Sequence, residues 1–99
     1  MAGAQRFQSV VLDGHKGLAF EIPFDPGTAW GIADVRLRPG RRGYRVRGTL
    51  NNVRFESVVV GRARRFFVLV NAQMQADCGL QAGAAVRVSL APASAPEAP

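Results

Sequence analysis

Residues 44–60 read Tyr44-Arg45-Val46-Arg47-Gly48-Thr49-Leu50-Asn51-Asn52-Val53-Arg54-Phe55-Glu56-Ser57-Val58-Val59-Val60. This stretch restricts the fold more than any other, because it is a β-hairpin whose pairing can be derived. Two runs of β-branched and aromatic residues flank Asn51-Asn52. Asparagine tolerates positive φ, so the pair serves as a two-residue type I′ turn, for which Asn-Gly is the stronger signal. Leu50 then faces Val53, Thr49 faces Arg54, Gly48 faces Phe55 and Arg47 faces Glu56. Val46 with Ser57, Arg45 with Val58 and Tyr44 with Val59 complete the ladder. Alternation along a strand sorts these residues onto two faces. Tyr44, Val46, Gly48, Leu50, Val53, Phe55 and Val59 form the core face. Arg45, Arg47, Thr49, Arg54 and Glu56 form the outer face. A one-residue slip would bury the arginines, which pins the register. Gly48 opposite Phe55 leaves room for the ring, or for a bend at a barrel corner.

Four further segments have the composition of strands bounded by turn formers: 6–12, 18–23, 65–71 and 86–91 join the two arms of the hairpin, 44–50 and 53–60, to make six. Asn71 can cap a short helix over 72–78, with Gly79 suited to the residue after its end. Segment 24–38 reads as a turn or single helical turn with Pro26 near its start. Trp30 in that segment plugs one end of the core. Phe66 and Phe67 point to opposite faces of their strand, so one of them faces outward. His15 lies in a loop of turn formers between the first two strands, as a solvated histidine. These elements define a mainly all-β chain: a small closed β-barrel of about six strands, double-split-barrel-like, with one short helix near 72–78. Closure suits a chain that carries few devices to protect sheet edges. One domain spans 6–91, and 92–99 is a disordered Pro/Ala-rich tail.

The charge is concentrated. The chain of 99 residues has a formal net charge of +6, yet the part from Arg36 to Arg65 carries ten arginines against Glu56 alone. Such asymmetry points to an anionic partner, nucleic acid or a phosphate-bearing ligand. A GC-rich coding bias gives the same composition, so solubility is the competing explanation. The hairpin register locates the charge. The loop before Tyr44 and the loop after Val60 lie at the same open end. Arg41 and Arg42 are in the first; Arg62, Arg64 and Arg65 are in or just beyond the second. These five arginines form the candidate anion-binding site, since guanidinium forks match phosphate and carboxylate. Arg45, Arg47 and Arg54 form a secondary candidate on the outer hairpin face, partly neutralised by Glu56.

Other chemistry lacks its residues. One cysteine, Cys78, excludes an intrachain disulfide and a cysteine metal cluster; it reads as a small buried apolar residue. One histidine leaves nothing for a histidine-based triad, and no two acidic residues form an acid/base pair. No phosphate loop, dinucleotide fingerprint or zinc spacing occurs. The expectation is a non-enzyme with no catalytic residues, no metal and no cofactor. No signal peptide and no apolar run of membrane-spanning length is present, so the expected location is the cytoplasm of a bacterium-like cell. The alternative is a structural or adaptor domain that binds a protein or small ligand, its arginines serving solubility.

The order of motifs supplies a resemblance. Phe20-Glu21-Ile22-Pro23 is followed by Trp30-Gly31, then Val46-Arg47-Gly48-Thr49-Leu50-Asn51. Val70-Asn71 precedes the helix, and Gly83-Ala84-Ala85-Val86-Arg87-Val88-Ser89-Leu90 closes the series. This succession resembles the family catalogued as domain of unknown function 1905 (DUF1905), over roughly residues 6–91. Asn52 and Ala84 depart from the family's usual Gly and Asp. The resemblance implies a small closed β-barrel, similar to the double-split barrels of transition-state-regulator-type DNA-binding proteins and antitoxins. It implies no established activity. Those DNA-binding barrels are intertwined dimers, whereas this chain has enough strands to close as a monomer.

Overall fold

The computed structural model describes residues 3–14 and 16–93. Seven strands and two short helices follow one another: β1 (Gln5–Asp13), β2 (Leu18–Ile22), α1 (Pro26–Trp30), β3 (Val35–Arg38), β4 (Arg41–Leu50), β5 (Val53–Arg62), β6 (Arg65–Leu69), α2 (Ala72–Cys78) and β7 (Ala85–Pro92). All pairings are antiparallel. The order β4-β5-β6-β2-β1-β7 closes on itself when β7 pairs with β4, giving a six-stranded barrel with β3 outside it on β4. β4 therefore divides one of its edges. Val46–Leu50 pair with β7, while Arg41–Gly43 pair with β3.

The central hairpin adopts the derived register at every pair from Tyr44↔Val59 to Leu50↔Val53. Asn51 and Asn52 have φ of 50° and 70°, as a type I′ turn requires. Phe20, Leu50, Val59, Leu90 and Val11 are fully buried inside the barrel, with Phe55 beside them. At one end α1 presents Trp30, which stacks edge-on against Phe24 at 5.2 Å and donates its indole N–H to the Gly3 carbonyl at 2.9 Å. α1 is capped by Asp25, with Pro26 at its start and Gly31 left-handed at its end. α2 is capped by Asn71, whose side chain accepts from Met74 N–H and donates to the Glu56 carbonyl. It inserts Met74 into the core.

Several expectations need correction. β3 is a seventh strand within 24–38; its Val-Arg-Leu-Arg alternates, but over only four residues, a weak signal by itself. The role expected of Gly48 belongs to another neighbour. A Cβ there would stand 1.8 Å from the Ser89 carbonyl oxygen, so Gly48 makes room for the β7 backbone at the barrel seam, not for the Phe55 ring. Phe67 faces outward as alternation demands, yet only 7% of it is exposed. It joins Ala19 and Val60 in a second cluster on the outside of the barrel, packed under Leu37, Val58 and Leu69. Cys78 is half-buried rather than buried. Pro92, assigned to the tail, is a buried end of β7, and Ala93 N–H donates to the Arg45 carbonyl. His15 and residues 94–99 lie outside the described residues.

Candidate anion-binding site

The arginines are placed by two hairpins at one end of the β4–β5 ladder, the end away from Asn51-Asn52. The first is β3–β4, turning through Pro39 and Gly40. The second is β5–β6, turning through Ala63 and Arg64, both at positive φ (53° and 65°). Four of the five candidates are thus strand residues, not loop residues: Arg41 and Arg42 open β4, Arg62 closes β5 and Arg65 opens β6. Arg64 alone occupies a turn.

Register opposes arginine to arginine three times. Arg36 faces Arg42 and Arg38 faces Arg41 on the first hairpin, across a bulge. Arg62 faces Arg65 on the second. Like charges directly opposite are destabilising across a ladder. Alternation puts Arg41, with its partner Arg38, on the outer side of β4, the side that also carries Arg45. Arg62 and Arg65 share the outer sides of β5 and β6. Arg42 has the opposite parity and turns to Asp34, with Nε 3.2 Å from Oδ1 and Nη2 donating to the Asp34 carbonyl. Arg65 lies 3.6 Å from Glu21, and Arg62 donates to the Gly14 carbonyl at 3.4 Å. Both ion pairs are exposed, so each contributes at most about 1 kcal/mol and leaves its arginine available to a stronger anion. Arg36 and Arg38, the two arginines on β3, were missed as site residues because that strand was missed.

The secondary candidates are dispersed along the outer face. Arg45 and Arg54 are exposed, and Arg47 is half-buried opposite Glu56. Arg47 is flanked by β7, where Ala91 pairs with it.

Two titratable groups are perturbed. Burial, then the charges of Asp25 and Asp34, raises Tyr44 above its ordinary 10.0. Burial, then Asp77, raises the Cys78 thiol. A raised thiol is a poor nucleophile. Among the described residues, no three His, Cys, Asp or Glu side chains gather to hold a metal ion. No described helix is long and apolar enough to cross a membrane.

Fold and site together define a small closed β-barrel bearing two arginine-rich hairpins. The family Domain of unknown function (DUF1905) matches residues 7–90, and the chain belongs to it. No functionally curated protein matches the chain.

Proposed function

We propose that the protein is a non-catalytic binding module whose two hairpins take an anionic, phosphate-bearing partner, with nucleic acid the foremost class. The observation that supports this is the threefold opposition of Arg to Arg on adjacent hairpins. A solubility role asks only for dispersed charge. Edge protection, for which charged residues are a common device, accounts for β3, the outer strand. It does not account for Arg62 and Arg65, which belong to strands of the closed barrel, or for Arg64 in the turn between them. Arg64 also holds a left-handed conformation without being Gly or Asn, and such local cost concentrates at functional positions. Arg41, Arg62, Arg64 and Arg65, together with Arg38, carry the contact; Arg42 positions the β3–β4 hairpin through Asp34. The test is binding of a labelled oligonucleotide at low and high salt. Affinity that falls steeply with salt supports the reading, and affinity indifferent to salt refutes it.

A second reading, an adaptor that binds protein, draws on a different surface. Val10 and Leu12 are exposed on the outer side of β1. Val10 borders an open depression with Gln8, Asn51, Ala85 and Arg87. Under that reading, binding would be insensitive to salt and to the hairpin arginines.

A further inference from the structure

We infer that the polyanion held by the two hairpins is double-helical and is gripped by its phosphate backbone, without readout of base sequence. This rests on the preceding reading and narrows it.

The inference comes from what the aromatic side chains are doing. The chain has six Phe, one Trp and one Tyr. Phe20, Phe55 and Trp30 are buried in the main core, and Phe7, Phe24, Phe66 and Tyr44 pack against it. Phe67 is buried in the outer cluster beneath Leu37. Four rings are thus buried and four half-buried against the core, and none stands out as an exposed platform. Proteins that hold single strands use ring faces as stacking platforms, and each stacked base contributes about 1–3 kcal/mol. In this barrel no ring is fully exposed, and Phe67, whose parity aims it outward, is covered by its own cluster on the outside of the barrel. Beside Phe67 and Val60, the same outer face presents guanidinium groups: Arg62 and Arg65 from β5–β6, Arg38 and Arg41 from β3–β4, with Arg64 at the turn between Arg62 and Arg65.

A site made of charge without stacking follows charge density. A duplex offers about one phosphate per 1.7 Å of axis, twice the density of either strand, and its bases are already stacked on one another. Arginine on short strands can fork onto backbone phosphates and fix the protein there without contacting base edges. Duplex DNA and duplex RNA share this chemistry, and the experiment separates them.

The full chain is titrated with a labelled DNA duplex of mixed sequence, an RNA duplex of the same sequence, each isolated strand and a permuted DNA duplex. The expected result is binding to one or both duplexes, at least tenfold tighter than to the isolated strands and unchanged by permutation. With five arginines contacting phosphate, log K against log salt has a slope of about −4 to −5. Arg38→Ala with Arg41→Ala flattens the slope by about 2, and so does Arg62→Ala with Arg64→Gly, at about 1 per lost contact. Gly at position 64 suits the left-handed turn, so the second variant keeps its hairpin; a melting temperature no lower than that of the unsubstituted protein checks both. Single strands bound as tightly as duplex, or discrimination between permuted sequences, overturns this inference and leaves the anion-binding reading standing. Absence of salt-dependent binding to any of these probes overturns both.

Discussion

Gly48 shows how much one residue can decide. Its missing side chain admits the Ser89 carbonyl where β7 meets β4, and a Cβ would stand 1.8 Å from that oxygen. Backbone cannot yield there without parting the seam. Gly48→Ala is expected to cost roughly 3 kcal/mol or more, or to prevent folding; chemical denaturation measures it. Gly43 has the same relation to the Val59 carbonyl oxygen of β5, at 2.2 Å, so a side chain there would force β4 from β5 and would also press on Leu37 of β3. Tyr44 gives a second test at this scale. It is the sole tyrosine, so tyrosinate absorbance reports it alone, with a midpoint above 10.0. Because the folded state holds this proton more tightly than the unfolded chain, its contribution to stability is complete below pH 10.0 and lost as pH rises through the folded value. Tyr44→Phe should flatten the alkaline fall in stability in that window and change nothing at neutral pH.

At the scale of elements, turns and caps divide into those whose residues suit their geometry and those whose residues do not. α2 has the Asn71 cap that the sequence predicts over 72–78, and Asn71→Ala should cost about 1 kcal/mol by thermal melting. The two tight hairpins are less well served. Asn52 sits at φ 70° where Gly is the easier occupant, and Ala63 sits at φ 53° with no side-chain compensation. Asn52→Gly should raise stability by a few tenths of a kcal/mol, and Ala63→Gly by up to about 1 kcal/mol, since left-handed backbone costs an ordinary residue roughly that much. The central hairpin was legible pair by pair, because its alternation is long and its arginines forbid a slip. β3 was not legible. Its four residues alternate, but a run that short is a weak signal, and its place depends on Leu37 reaching the outer cluster and on Gly43 letting it approach.

At the scale of the whole molecule, a barrel with three opposed arginine pairs should gain from screening. Its melting temperature is expected to rise between low and physiological salt, and to rise further with a bound polyanion by mass action. A melting temperature that falls with added salt would show that the arginines are already balanced within the fold. The six barrel strands, the hairpin register, the core face and the clustering of charge are all determined by the sequence alone, because each follows from local alternation or from counting. Tertiary structure decided the rest. Closure of β7 on β4, the seam that makes Gly48 necessary, the outer cluster that hides Phe67, and the placement of Arg38 and Arg41 near Arg62 and Arg65 are contacts between segments far apart in the chain. No local pattern encodes which distant backbone will arrive beside a given strand. That is why the arginines were visible as a composition, but became a site only when two hairpins set them on one end of a closed barrel.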